Sequence, residues 1–486
     1  MISSKSTFAV AGSVVAMSSK SSGNRPAAPR VATGMPWWVW GGIGVFGIAI
    51  TLSLVSSAVP QDPLQLLADA NKAAENADLK TLLQNLEALR QFPDREGEVR
   101  YLEGIVKLGE TKPLKAIPLL KQAVETPTVK ARAWLALGRA YGTAGQLQNA
   151  TDALKQVLDD PEVGSLARFS LAGMMNSIQA YDEALTQFTA LAEKDYDIGR
   201  TLYQRGEIYI DLGEYEKAAA DIQKSIDIDP NEPTNSLKVV KLLRTLTRLG
   251  RFEGTDKYAE QLDNPIAAGS FKAEKLIAEG KIKEAVAALD AARRDARENP
   301  QLVCTWGKVM LAWQDPEKAK QALAEVYVAC RRATRNTEGM QVLQGIAEAV
   351  GNKELADLAR QNVEMLQAKR QQMLEALKGI GSDVTSVEKR MDLADLAIDC
   401  GEVELAERVY RGLAMFFPDQ EVTIAPRRAR LDQPLKLLVD LGNSVDLPAP
   451  APPPDAARPD RPPLPPPGRG AAPAEPAAPA EPAKDL

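Results

Sequence analysis

The chain has 486 residues, a formal net charge of −6 and no histidine. This length exceeds one compact core and predicts either several domains or a repeat array. The absence of histidine excludes His-dependent catalytic triads and most zinc sites, and the negative charge argues against nucleic acid as a partner.

The N-terminal region has the pattern of a membrane anchor. Residues 1–36 carry four basic residues and no acidic one, and we expect this leader to be disordered. Residues 37–59 contain no charge and are long enough to cross a bilayer as one helix. Because the basic residues precede the span, the positive-inside rule predicts a cytoplasmic N-terminus and an exported remainder. A bacterial inner membrane with a periplasmic domain fits this pattern.

An alternative for the same region is a signal peptide. Small residues precede and include Ala58, so cleavage near that residue would yield a secreted protein. The length of the leader and the cluster of tryptophans at the start of the span favour an uncleaved single-pass anchor.

Residues 63–232 repeat with a period of 34. Such a period predicts one helical hairpin copied in tandem, in which each copy buries its apolar face against its neighbours. Two columns of small residues recur at this spacing: Gly104, Gly138, Ala172 and Gly206 in the first helices, and Ala116, Ala150, Ala184 and Ala218 in the second.

The small columns predict where the two helices of a hairpin cross. Helices approach closely only where a side chain is nearly absent, so Gly206 and Ala218 mark the crossing in the fifth block. We expect a large residue at Ala218 to open the hairpin, at a cost of roughly 1–3 kcal/mol.

These residues resemble the tetratricopeptide repeat (TPR) family. The segment from Leu202 to Pro230 carries the pattern of the family almost in full, and a second good match begins at Ala133 and ends at Leu154. The resemblance implies an all-α protein, an α-solenoid of antiparallel hairpins in a TPR superhelix. With one N-terminal transmembrane helix and disordered termini, this is the predicted fold class.

Beyond residue 232 the 34-residue phase slips, although helix–turn–helix units continue. We therefore predict degenerate TPR-like repeats and an end cap over 233–446, with one uninterrupted helical stretch between 360 and 386. Proline and alanine then dominate the end of the chain, so 447–486 is predicted to be a disordered Pro/Ala-rich tail.

The resemblance also implies a partner-binding groove lined by the first helix of each hairpin. One 34-spaced column there is Leu67, Tyr101, Leu135, Phe169 and Tyr203, with Arg139 and Glu207 beside it. Such a strip suits an extended peptide or an amphipathic helix. The alternative is that the column packs on the preceding hairpin and completes the core. The carboxylate clamp with which some TPR proteins hold chaperone tails is absent from 131–232.

The pattern of residues predicts a protein without catalytic activity. The motifs G-x-S-x-G and H-E-x-x-H and the P-loop are missing, and no two cysteines are closely spaced in the sequence. We therefore expect no cofactor, no metal and no small-molecule ligand. Cys304 and Cys330 are predicted to lie at the same end of one hairpin, as buried small hydrophobes or, alternatively, as a disulfide.

The expected function is that of a membrane-anchored scaffold or adaptor that binds proteins or peptides in cell-envelope processes. Two alternatives are an organelle import receptor with a cytosolic TPR domain and an assembly factor that organises envelope-biogenesis enzymes.

Overall fold

The computed structural model describes residues 62–442, apart from residues 231, 233, 234, 295 and 382. The predicted leader 1–36, the apolar span 37–59 and the tail 447–486 lie outside the described residues. All regular elements within the described ranges are helices. None of the helices in this part of the chain is both long and apolar enough to cross a membrane.

Ten helices form five hairpins at the predicted spacing. They are α1 (Pro63–Glu75), α2 (Leu79–Leu89), α3 (Glu96–Gly109), α4 (Pro113–Ala123), α5 (Lys130–Thr143), α6 (Leu147–Lys155), α7 (Gly164–Ser177), α8 (Tyr181–Glu193), α9 (Ile198–Asp211) and α10 (Tyr215–Ile228). We call these the regular hairpins. The helical hairpins predicted for this region are confirmed.

Each regular hairpin turns on one residue in the left-handed region. These residues are Ala77, Thr111, Gly145, Gln179 and Gly213, with φ between 56° and 76°. In the third hairpin the next N–H, that of Gln146, donates to the carbonyl of Tyr141 at 2.8 Å. This bond closes the C-terminal end of the first helix and starts the second helix after a short turn.

The helices of a hairpin cross at the predicted small residues. A Cβ added to Gly138 would lie 2.6 Å from Leu154 Cγ, and one added to Gly206 would lie 2.7 Å from Ile222 Cγ1. Ala218 is fully buried at the same crossing. Because real Cβ atoms do not approach this closely, a larger residue forces the helices apart. The sequence-based prediction of the crossing is confirmed.

Ten further helices continue the hairpin pattern, and one short helix follows them. They are α11 (Asn235–Arg248), α12 (Asp256–Ala259), α13 (Pro265–Ala278), α14 (Ile282–Arg293), α15 (Pro300–Ala312), α16 (Pro316–Arg332), α17 (Thr337–Ala349), α18 (Lys353–Ile380), α19 (Val387–Cys400), α20 (Val403–Phe416) and α21 (Glu421–Arg428). We call α11–α20 the later hairpins.

Asparagine caps begin three of the later first helices. The side-chain oxygens of Asn264, Asn299 and Asn336 accept hydrogen bonds from main-chain N–H groups of α13, α15 and α17, at 2.9–3.0 Å. Such caps satisfy donors that have no partner within the helix. They mark the hairpin starts although the regular phase is lost.

The later hairpins keep the same turn while their spacing varies. Their left-handed residues are Gly250, Gly280, Gln314, Gly351 and Gly401, which follow one another at unequal intervals. The longest interval, from Gly351 to Gly401, contains α18, a helix of 28 residues. The predicted uninterrupted helix of 360–386 thus begins earlier, at Lys353, and ends at Ile380.

The described residues divide into two compact units. The first contains the described residues up to Lys238, together with Gln371–Ile398 and Glu402–Gln433. The second contains Val239–Arg370, Asp399–Gly401 and the described residues from Pro434. The sequence grouped 233–446 into one region, whereas compactness divides that range between both units. The reason is that α19–α21 contact hairpins far away in the chain.

The three cysteines lie in buried positions as free thiols. Cys304 and Cys330 belong to the apolar core of the second unit. Burial raises the pKa of the Cys330 thiol to about 12, so this group stays protonated at neutral pH. Of the two interpretations given for Cys304 and Cys330, the structure agrees with buried small hydrophobes and not with a disulfide.

Candidate functional site

The 34-spaced column of the predicted groove is mostly buried. Leu67, Tyr101 and Leu135 are only 5–7% exposed. Leu67 and Tyr101 belong to the apolar core of the first hairpins. Phe169 and Tyr203 are partly exposed. Contact between this column and a partner stays a prediction, and the accessible part of the column is confined to its last two members.

Phe169 lies in an aromatic and cationic cluster between the fourth and fifth hairpins. Its ring meets Phe188 edge to face with centroids 5.9 Å apart, and Tyr196 at 6.5 Å. The guanidinium carbon of Arg200 lies 4.6 Å from the centroid of the Phe169 ring. Stacking on an aromatic ring holds a guanidinium in place while its N–H groups can still bind other groups.

Tyr203 and Glu207 form a second polar cluster one helical turn further along α9. The Tyr203 hydroxyl donates to Glu207 Oε1 at 3.2 Å, and Gln204 Nε2 donates to Glu207 Oε2 at the same distance. The ammonium of Lys238 lies 5.5 Å from the Tyr203 ring. Burial is the main cause that raises the pKa of Tyr203 well above its usual value. The predicted neighbours Tyr203 and Glu207 are therefore brought into contact.

Arg139 has no carboxylate partner among the described residues. Its Nε donates to Ser170 Oγ at 3.3 Å. Burial lowers the pKa of the guanidinium, and the nearest ionisable groups that affect it are the phenols of Tyr101 and Tyr196. A partly exposed cation without an anion can bind a carboxylate. Arg139 is the chemically most informative residue of the predicted set.

Arg132 and Tyr101 lie beside Arg139. Arg132 pairs with Glu162 and, at 3.5 Å, with Glu75. Burial raises the pKa of the Tyr101 phenol to about 12. We use the name groove face for the surface of the first helices around Arg139, Phe169, Arg200, Tyr203 and Glu207.

The periodicity of the sequence did not reveal that α20 lies across three turns of the regular hairpins. Arg408 pairs with Asp211 at 2.5 Å, and Asp211 also accepts a hydrogen bond from the Tyr181 hydroxyl. A Cβ on Gly412 would lie 1.9 Å from the carbonyl oxygen of Ser177. A Cβ on Gly145 would likewise lie 2.7 Å from the carbonyl oxygen of Met415. Because Arg408 and Asp211 are so distant in the chain, no local signal could indicate this pair.

A buried arginine fixes the preceding helix at the same place. Arg390 is fully buried. Its guanidinium donates to the carbonyl oxygens of Ile178, Asp383 and Ser386 at 2.6–2.7 Å. The bond to Ile178 satisfies a carbonyl at the end of α7. Burial lowers the pKa of Arg390 to about 10. The turn ends of α7 and α9 are thus contacted by a helix pair supplied by the same chain.

Comparisons with known families agree with this geometry. Residues 106–244, from α3 into α11, match the family described as a tetratricopeptide repeat-like domain. This part of the chain is therefore TPR-like. No curated protein matches the sequence.

The solved structures that are similar to the chain include the following two. One is Naa15/Naa10 bound to HypK-THB, with 15% identity and a TM-score of 0.35 over 76% of this chain and 66% of that one. The chain thus spans slightly less than two thirds of that neighbour. The other is the TPR domain of P58(IPK), with 15% identity and a TM-score of 0.21 over 60% of this chain and 99% of that one. Likenesses at this level carry no argument about partners or activity.

Proposed function

We propose that the protein is a scaffold without catalytic activity that holds partner polypeptides on the groove face of the regular hairpins. The supporting observation is Arg139, a partly exposed guanidinium between tyrosines that lacks a carboxylate partner among the described residues. A TPR-like array that keeps such a cation on its first helices is suited to a polypeptide that brings an acidic group.

The chemistry around Arg139 also favours a polypeptide over a polyanion. Arg200 adds a second cation over Phe169, while Glu207 adds an anion on the next part of the same face. Mixed charges of this kind complement a peptide that carries both signs, and the partly exposed rings of Phe169 and Tyr203 add apolar contact area.

The test is a charge reversal on the groove face with a matched reversal elsewhere. Arg139→Glu is compared with Lys155→Glu, since Lys155 is exposed on the second helix of the same hairpin. Proteins that co-purify with the full-length chain in detergent are identified, purified and measured for direct binding. We expect Arg139→Glu to weaken binding at least tenfold and Lys155→Glu to leave it unchanged. Equal binding by both variants, with unchanged circular dichroism, would defeat the groove proposal.

We further propose that residues 37–59 anchor this scaffold in a membrane, with the hairpins exported into the envelope. The support is the uncharged span after a basic leader. Protease added to intact cells with a permeabilised outer envelope should digest the hairpins and spare the leader. Protection of the hairpins would instead favour an import receptor with a cytosolic TPR domain. A mature protein that begins directly after Ala58 would support secretion after cleavage.

A further inference from the structure

A short non-helical segment fills a site in the second unit. We call this segment, Pro434–Gly442, the C-terminal strap. Side chains of α16, of the loop that follows it and of α18 form hydrogen bonds with the main chain of the strap. Asn362 pairs with Val439 in both directions: Asn362 Nδ2 donates to the Val439 carbonyl at 2.8 Å, and the Val439 N–H donates to Asn362 Oδ1 at 3.0 Å.

Three more side chains hold carbonyl groups of the strap. Thr334 Oγ1 donates to the Leu435 carbonyl at 2.9 Å, and Arg335 Nη1 donates to the Lys436 carbonyl at 2.6 Å. The Tyr327 hydroxyl donates to the carbonyl of Gly442. Since these bonds all involve main-chain atoms, the site can hold strap sequences other than this one.

Leucines of the strap supply the apolar contacts. Leu441 is fully buried within the core of the second unit, and Leu437 and Leu438 pack against that core while partly exposed. By contrast, Pro434 and Lys436 are exposed. The site therefore selects a main chain that presents leucines at this spacing.

Asn362 indicates that the site is built to bind a main chain. It is fully buried, at 0% exposure, on a helix whose other buried side chains are apolar. Apart from one bond to the Leu358 carbonyl within α18, the hydrogen bonds that satisfy its amide come from the strap. A buried amide left without these partners would be unfavourable by roughly 1–3 kcal/mol.

We propose that Tyr327, Thr334, Arg335 and Asn362 form a peptide-binding site, and that the strap occupies it in place of a leucine-bearing, non-helical segment of a partner protein. The strap is tethered to the site, so its effective concentration is high, in the millimolar range for short flexible connections. A partner segment must compete with it, and the intact chain is thereby self-inhibited. None of these residues belongs to the groove face, so the proposal is independent of the function proposed above.

The test uses the full-length chain with a protease site inserted between Gln433 and Pro434. A fluorescein-labelled peptide with the sequence of residues 433–443 is titrated against uncut and cut protein, and its anisotropy is measured. Cutting removes the tether, so we expect the cut protein to bind the peptide at least tenfold more tightly. A cut protein that keeps its helical circular dichroism and fails to bind the peptide would overturn the proposal.

Two receptor variants separate specific binding from adhesion. Asn362→Leu should weaken peptide binding by the cut protein at least tenfold, whereas Gln361→Leu, at an exposed position on the same helix, should not change it. Peptides with serine at the positions of Leu437, Leu438 and Leu441 should fail to bind, and a peptide with alanine at the position of Lys436 should bind normally. Equal binding of all these peptides would contradict recognition through leucines.

A strap variant gives an effect of opposite sign without altering the receptor side chains. Leu441→Asp weakens the strap, so the uncut protein should bind the labelled peptide more tightly than wild type. If this variant unfolds, its circular dichroism shows it, and the cut wild-type protein decides the question. An uncut wild-type protein that dimerises by exchanging straps would overturn the commitment to a partner protein.

Discussion

The regular and the later hairpins share one local design and differ in what surrounds it. Thr111 in the first set and Gly351 in the second both adopt left-handed backbone at the hairpin turn. The regular turns follow one another at a constant interval, whereas the later turns do not. A hairpin therefore depends on its turn and on the crossing of its two helices. The 34-residue period describes only the spacing between successive hairpins.

The crossing glycines show the second difference. The space left by Gly138 is filled by Leu154 of its own hairpin. The space left by Gly307 in α15 is filled chiefly by Val342 of the next hairpin, whose Cγ1 would lie 2.4 Å from an added Cβ. Val326 of the same hairpin would lie at 3.0 Å. Glycine therefore serves closure of its own hairpin at Gly138 and contact between hairpins at Gly307.

The largest expected effect comes from adding a methyl group at these two glycines. Gly138→Ala and Gly307→Ala should each destabilise the protein by about 1–3 kcal/mol because neither site has room. In double-mutant cycles, Gly138→Ala should couple to Leu154→Ala, and Gly307→Ala more strongly to Val342→Ala than to Val326→Ala. The measurement is chemical denaturation followed by circular dichroism. Stronger coupling of Gly307 to Val326 would contradict the different roles assigned to Gly138 and Gly307.

A further effect is expected only at alkaline pH, where one buried acid of each set can be compared. Burial raises the pKa of Tyr101 and of Cys330 to about 12, from ordinary values of 10.0 and 9.0. Each of these acids loses its proton more readily in the unfolded chain than in the folded protein. Folding is therefore not penalised below the ordinary pKa, and the folded protein loses stability as pH rises from the ordinary pKa towards 12. The free energy of unfolding should therefore fall at alkaline pH, and by more through Cys330 than through Tyr101, because the pKa of Cys330 is raised further.

Single substitutions assign these losses. Tyr101→Phe should flatten the decrease above pH 10, and Cys330→Ala the decrease above pH 9, in denaturation curves taken at stepped pH. An unchanged slope in either variant would contradict the burial of that group.

Alkylation of unreduced, denatured protein should label all three cysteines, whereas a single label would indicate a disulfide.

The smallest expected effect lies at the turns. Thr111→Gly should stabilise the protein by about 0.5 kcal/mol, because relief of left-handed strain exceeds the added entropy of the unfolded chain. Gly351→Thr should destabilise it by about 1 kcal/mol, although no atom lies within 4 Å of an added Cβ. The melting temperatures of the two variants, both at exposed positions, measure these effects. Effects of the same sign would show that the two turns are not equivalent.

Features that depend on short sequence separation could be predicted from the sequence. The period predicted the regular hairpins, and the small residues predicted the crossing of Gly206 and Ala218. The period did not distinguish groove from core for Tyr101, since an aromatic residue repeated at this spacing satisfies both. It also gave no signal for Arg408 or Asn362, whose partners lie far away in the chain. These contacts exist only once the chain has folded back.

The docking of α20 across three turns has a mechanical consequence. In a tandem array each hairpin contacts only its neighbours. A pulling force on such an array therefore separates one interface between hairpins at a time. Arg408, Gly412 and Met415 contact the turns of the fifth, fourth and third hairpins. These three hairpins are thereby joined along their edge and resist a pulling force together, while the first two retain the compliance of an ordinary array.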